Sequence, residues 1–348
     1  MQRRLRSFCF VLTLLFSLAA CKTHGGRSHE VAYVSAPQTF LRDRVATVYN
    51  KVATVKNGDR LDVLERSNNR RFVHVRMANG IDGWVEQRSL VGEDVFLAFQ
   101  KMSTDNMSTP VQAQGITHSE TNLHVTPGRE TEHLYQLTQG GKVALLKRAV
   151  AEKTLPGGTP AKPKAPAGAN EKTPKSSDAS NPILEDWWLV RDDQKRVGWV
   201  LARLIDLDVP LEIAQYAEGQ RMVAVFVLRE VPDTTDGLTK KVPEYLVLST
   251  EPKDGQDFDF NQIRVFTWNG KHHRYETAYR EHHLDGQLPV TVGQEDFGKE
   301  GNLPVFTLHI KDNDGKLLER KYKMNGPIVR RVYAAGEEPE RTGRTKRR

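Results

Sequence analysis

Phe72-Val73-His74-Val75 followed by Gly83-Trp84-Val85, and Trp187-Trp188-Leu189-Val190 followed by Gly198-Trp199-Val200, are the stretches on which the fold turns. In both, eight positions separate the valine, Val75 or Val190, from the glycine, Gly83 or Gly198. Apolar and polar residues alternate through them, which is the pattern of short, half-buried strands. The likeness extends outward. Phe40-Leu41-Arg42 and Asn57-Gly58-Asp59-Arg60-Leu61-Asp62-Val63-Leu64 precede the first stretch, and Leu90-Val91 closes it. Asn122-Leu123-His124 and Gly140-Gly141-Lys142-Val143-Ala144-Leu145-Leu146 precede the second, which ends at Leu204-Ile205. One architecture occurs twice, and a repeat of this length reads as two copies of one small β domain.

The start at Leu41-Arg42 or Asn122-Leu123, the central strand, the aromatic strand and the closing G-W-V together resemble the bacterial SH3-like (SH3b) domain. The resemblance covers residues 32–92 and 116–206 and implies two small barrels. The first copy departs from it with Phe72 where tryptophan is usual, and the second with a long insertion. Neighbouring side chains on a strand face opposite sides, so Trp187 and Trp188 cannot both enter the core. By the resemblance, Trp187 lines a ligand groove, Trp188 packs beneath it, and Phe72 is the counterpart of Trp187. The alternative for Trp187 is a cover provided by the insertion or by a neighbouring domain. Trp84 and Trp199 are expected to plug the cores, since the closing strand of a small barrel needs bulk.

Between the copies, residues 93–115 form a connector in which Val95, Phe99 and Met102 recur at helical spacing. The insertion, residues 151–182, is rich in Pro, Ala, Lys, Ser and Gly, has too little apolar surface to offset chain entropy and is expected to be disordered. Residues 207–335 alternate like strands. Trp268-Asn269-Gly270-Lys271 and Asp312-Asn313-Asp314-Gly315-Lys316 read as hairpin turns, because Asn-Gly and Asp-Gly accept positive φ. The expected whole is all-β: two small SH3-like barrels and then a β-sandwich-like domain. Residues 336–348 are a basic tail, expected to be disordered.

The first residues bear on the compartment. Arg3, Arg4 and Arg6 precede an apolar run from Phe8 to Ala20, the layout of a secretory signal. The run is shorter than the ~20 apolar residues that span a bilayer. Leu18-Ala19-Ala20-Cys21 resembles the lipobox of bacterial lipoproteins, which implies cleavage between Ala20 and Cys21 and a lipid on the Cys21 sulfur. Residues 1–20 are then the signal peptide and 21–31 a polar tether. Lys22 is not the aspartate of the inner-membrane retention pattern, which implies an outer-membrane anchor facing the periplasm in a host with two membranes.

The chemistry is mostly exclusion. The two cysteines are Cys9, within the segment to be removed, and Cys21, so the mature body has neither a disulfide nor a cysteine nucleophile. Losing Arg3, Arg4 and Arg6 takes the formal charge from +7 to +4, a mild excess that calls for no nucleic acid. His272-His273 and His282-His283 would lie ~30 Å apart along one strand at ~3.3 Å per residue, too far to share an ion. Asp312-Asn313-Asp314-Gly315 opens like a calcium loop, but Lys323 stands where its closing glutamate belongs. No catalytic residue, metal ligand or cofactor site is expected. The expected partners are the membrane, through the lipid, and peptidoglycan or an envelope protein, through the grooves. The rival expectation is a cell-wall hydrolase whose chemistry resides in residues 207–335.

Overall fold

The computed structural model describes residues 30–153, 182–235 and 238–333. The expected signal peptide, Cys21 and the expected tether as far as residue 29, most of the insertion and the tail from 336 lie outside the described residues. The described chain is predominantly β, in three seven-stranded antiparallel sheets.

The first sheet contains β1 (Val31–Val34), β2 (Gln38–Arg42), β3 (Lys51–Lys56), β4 (Arg60–Arg66), β5 (Phe72–Arg76), β6 (Asp82–Glu86) and β7 (Leu90–Gly92). The second contains β8 (Ala113–Thr117), β9 (Thr121–His124), β10 (His133–Leu137), β11 (Lys142–Glu152), β12 (Leu184–Asp192), β13 (Val197–Leu201) and β14 (Ile205–Leu207). Their strand orders are the same, β3-β2-β6-β5-β4-β1-β7 and β10-β9-β13-β12-β11-β8-β14. Register matches too: Val75 pairs with Gly83 and Val190 with Gly198, His74 with Trp84 and Leu189 with Trp199. The eight-residue spacing seen in the sequence is therefore a cross-strand pair in each copy.

The repeated glycine has a steric reason. A Cβ on Gly83 would sit 3.0 Å from the Arg42 carbonyl and 3.0 Å from Leu41 Cβ. On Gly198 it would sit 2.7 Å from Leu123 Cβ and 3.0 Å from the Phe99 ring. Val85 and Val200, beside these glycines, are fully buried, whereas Trp84 and Trp199 are only partly covered. The expectation that these tryptophans plug the cores is corrected. Alternation turns them to the outer face, and valines fill the interior.

Helix α1 (Glu93–Asp105) lies in the connector and buries Val95 and Phe99. It joins the two repeated units: Phe96 stacks on Tyr33 of β1 with centroids 4.0 Å apart, and Phe99 meets Tyr135 of β10 edge-on at 5.3 Å. Asn57, in the turn after β3, donates to the Leu134 carbonyl at 2.5 Å and accepts from the Gln136 amide at 3.3 Å. One apolar core then runs from Tyr33 through Phe99, Leu123 and Trp188 into the third sheet. The expected insertion boundary at residue 151 falls inside the β11–β12 ladder, which pairs as far as Glu152 with Leu184.

After a single helical turn, α2 (Leu211–Ala214), the third sheet contains β15 (Arg221–Thr235), β16 (Leu238–Thr250), β17 (Phe260–Asn269), β18 (Arg274–Asp296), β19 (Asn302–Lys311), β20 (Leu317–Asn325) and β21 (Ile328–Val332). Each strand pairs with the next, so this is one continuous meander and not the two facing sheets of the expected sandwich. Register shifts interrupt the β15–β16, β17–β18 and β18–β19 ladders. Such bulges bend strands and increase twist, and here the sheet curls onto itself. Gln294 of β18 donates to the Leu228 carbonyl of β15 at 3.2 Å, and Arg229 of β15 to the Gly326 carbonyl at 3.1 Å. Curling gives the long strands an enclosed core around Phe306, Leu308 and Met324 without a second sheet.

Both expected hairpin turns form. Gly315 takes a positive φ of 78°, and Asp312 caps the turn by accepting from the Asp314 and Lys316 amides. In the other, the left-handed residue is His273 (φ 46°) rather than Gly270, because the turn is longer than the Asn-Gly pair alone.

Candidate ligand-binding face of the first unit

Alternation along β5 sends Val73 and Val75 inward and leaves Phe72 and His74 on the outer face. On β6 and β2 the same rule sends Trp84, Glu86, Phe40 and Arg42 to that face. Arg42 ties it together. Its guanidinium lies 4.2 Å from the centroid of Tyr49 and 5.1 Å from that of Phe72, and it donates to Glu86 Oε1 at 2.9 Å. Arg88 donates to the other Glu86 oxygen at 2.6 Å. Lys51 Nζ stands 4.1 Å over the Phe40 ring, and Trp84 stacks on His74 at 4.9 Å. Stacked cations hold these rings in place while leaving them in reach of solvent; Phe40 keeps 38% of its surface and Tyr49 37%.

Beside Phe72 opens a cleft of ≈ 450 Å³ lined by Arg70, Arg71, Glu86, Gln87 and Arg88. The β2–β3 loop forms the neighbouring edge. Its neck is clamped by Asp43, which accepts from the Asn50 amide at 2.8 Å and from Asn50 Nδ2 at 3.0 Å. Hydrogen bonds from Arg44 and Asn50 hold the Asp43 carboxyl down at about 2, so the clamp stays charged at ordinary pH. Beyond the neck, Val48 is 83% exposed.

The second unit places Trp187 where the first places Phe72: Trp187 pairs with Leu201, and Phe72 with Glu86. The surroundings differ. His124 replaces Arg42 in register and meets Trp187 edge-on at 5.3 Å. Burial first, and His133 second, push the His124 imidazole down to about 4, so it is neutral near pH 7. A neutral imidazole and Leu201 stand where Arg42 and Glu86 would require water, and this face closes. Trp187 is 2% exposed and Trp188 6%. Trp187 as a groove residue is therefore corrected: both rings are buried. The Trp187 indole N–H has no hydrogen-bond partner among the described residues.

A second cleft, of ≈ 460 Å³, lies where the second unit meets the third sheet. Its floor is a buried charge cluster. Asp186 accepts from Arg148 at 2.6 Å, Arg221 at 2.9 Å and the Gly255 amide at 2.9 Å. Arg148 also reaches Asp259 and the carbonyls of Gln256 and Phe258. The cluster binds one domain to the other. Sequence reading missed it, because Arg148 and Asp186 look like ordinary surface charges on alternating strands. Among the described residues no group of three or more His, Cys, Asp and Glu side chains converges as a metal site would require. His272-His273 and His282-His283 flank a single run of β18.

No family model matches the chain, and no curated protein matches it. Solved structures do match, among them NlpC2 from Trichomonas vaginalis, with 10% identity and a TM-score of 0.17 over 87% of this chain and 95% of that one. NlpC1 from the same organism gives 9% and 0.16 over 71% and 87%. At those values neither superposition carries an argument about fold or activity. Among the described residues, no helix is long and apolar enough to cross a membrane.

Proposed function

We propose that this chain is a lipid-anchored binding or scaffolding protein of the cell envelope, held to a membrane through Cys21, and that its two repeated units are SH3b domains. In this reading the first unit binds an extended chain, such as cell-wall peptide, across Phe72, Tyr49 and Phe40. The second unit uses the same architecture as a structural hub between the first unit and the third sheet. One observation carries the reading: in two units of the same strand order and register, the outer aromatic face is open around Phe72 and sealed around Trp187. Flat rings beside polar groups suit extended peptides, which offer apolar faces at intervals along a polar backbone.

Co-sedimentation of the full chain with purified peptidoglycan sacculi tests this. Phe72→Ala is expected to lower retention about tenfold or more, as truncating an aromatic anchor costs ~1–2 kcal/mol or above. Trp187→Phe, in a closed site, is expected to leave retention unchanged while lowering thermal stability. Retention indifferent to Phe72 would remove the face from the account. Release of soluble fragments during the incubation would move the protein to the hydrolases.

A further inference from the structure

We infer that the first unit's cleft is selective for carboxylate-bearing peptide, with Arg70 and Arg71 as the residues that read the carboxylate. This rests on the reading of that face as a binding site and adds the class of ligand.

The charges around Phe72 are unequally spent. Glu86, the acid in the cleft, is held on both oxygens, by Arg42 at 2.9 Å and Arg88 at 2.6 Å. Its charge is answered twice over. Arg70 and Arg71 line the same cleft and make no side-chain hydrogen bond, ion pair or ring contact among the described residues. They are unspent cations facing a space that holds an aromatic wall.

They are also held in place. Arg70 adopts a positive φ of 53°, uncommon for a residue with a side chain. The turn that imposes it is cross-braced: the Arg70 amide donates to the Ser67 carbonyl at 2.8 Å, and the Arg71 amide to Asn69 Oδ1 at 3.1 Å. Ser67 Oγ donates to Asn69 Oδ1 at 2.9 Å and accepts from the Phe72 amide at 3.0 Å. The Gln87 amide closes the other side on the Arg71 carbonyl at 2.9 Å. The turn thus carries two consecutive guanidinium groups beside the Phe72 ring on a backbone whose conformation is already fixed. Planar guanidinium donors match planar carboxylates in two-point hydrogen bonds, and a braced turn saves ordering entropy on binding. A peptide laid over Phe72 with a carboxylate beside the ring satisfies both features at once. A neutral chain leaves both arginines unanswered. The second unit supports the contrast, since Glu185 and Asp186 occupy the corresponding register and its face is closed.

The test uses sacculi in three forms: untreated, with carboxyl groups amidated by carbodiimide and ammonia, and stripped of phosphodiester polymers by hydrofluoric acid. The expected result is that amidation lowers retention of the wild-type chain about tenfold or more, as loss of a charge-assisted contact should. Phosphate stripping is expected to change nothing. Arg70→Gln with Arg71→Gln should match the effect of amidation on untreated sacculi and add nothing on amidated ones; an unchanged thermal midpoint shows that the double variant is folded. Equal retention on untreated and amidated sacculi, with Phe72→Ala still impaired, overturns the carboxylate assignment and leaves the binding face standing. Loss of retention on phosphate stripping alone reassigns the arginines to phosphate and overturns it as well. Absence of wild-type retention on every form removes the binding reading and this inference with it.

Discussion

Arg148→Ala is expected to destabilise the folded chain by about 3–5 kcal/mol, the range for removing one partner of a buried ion cluster. Arg148 is only 7% exposed; it pairs with Asp186 within the second unit and reaches across the junction to Asp259 and the carbonyls of Gln256 and Phe258. Its removal leaves Asp259 buried with the Leu288 amide, at 2.7 Å, as its remaining donor among the described residues. Asp186 fares better, keeping Arg221 and the Gly255 amide. Arg221→Ala is therefore the control. That side chain is 35% exposed, and its loss should cost only about 1 kcal/mol. The deficit of Arg148→Ala should also depend on pH. Burial already raises the Asp259 carboxyl above its ordinary range, while Arg148 pulls it down. A carboxyl raised in the folded state takes up its proton more readily there than in the unfolded chain. Its contribution is thus greatest below the unfolded value and declines as pH rises through the folded one. Without Arg148 the Asp259 carboxyl rises further and the window of decline widens. Urea denaturation should find the deficit smaller near about pH 4.5 than near about pH 7.5. A deficit equal at both, or equal to that of Arg221→Ala, would show that the cluster does not hold the junction.

Gly198→Ala is expected to cost about 2–3 kcal/mol, the upper part of the range for adding a methyl group to a filled core. The new Cβ would meet Leu123 Cβ at 2.7 Å and the Phe99 ring at 3.0 Å. Leu123 and Phe99 are 0% and 1% exposed and have no free volume to enter. The equivalent Gly83→Ala should be milder: its contacts are at 3.0 Å, and α1 does not cover it with an aromatic ring. Paired thermal melts of the two variants measure the difference. If Gly83→Ala proves the more costly, the helix does not press on the second unit as described. Phe99 meets both Gly198 and Tyr135, so Gly198→Ala should also loosen α1, seen as faster amide exchange from Val95 to Met102.

The repeat was legible because its signal is local. Val75 to Gly83 and Val190 to Gly198 are cross-strand partners, and a hairpin keeps such partners close in sequence. Helix α1 was legible for the same reason, with Val95 and Phe99 on its buried face. What covers an outward-facing side chain is not local. Period two says that Trp187 and Trp188 point to opposite sides, but it says nothing of the residues that close over Trp187. One of those is His124, 63 positions upstream. The same limit hid the role of Arg148, whose partner Asp259 lies 111 positions away. The sandwich expectation failed on a different point. Strand spacing and turn residues are alike in a sandwich and a meander, and only the bulges that curl β15 to β21 into one sheet tell them apart. Bulk does not imply burial at Trp84 and Trp199, because the neighbouring glycine and valine already fill the inner face.

The asymmetry between the two units can be read from their indole N–H groups. The chain has 5 tryptophans, so ¹⁵N-tryptophan labelling yields a spectrum in which each is followed separately. On titration with solubilised cell-wall fragments, the Trp84 signal, on the open face of the first unit, should shift in proportion to occupancy. The Trp187 signal, enclosed in the second, should stay where it is. A moving Trp187 with a stationary Trp84 would place the ligand in the wrong unit and contradict the account.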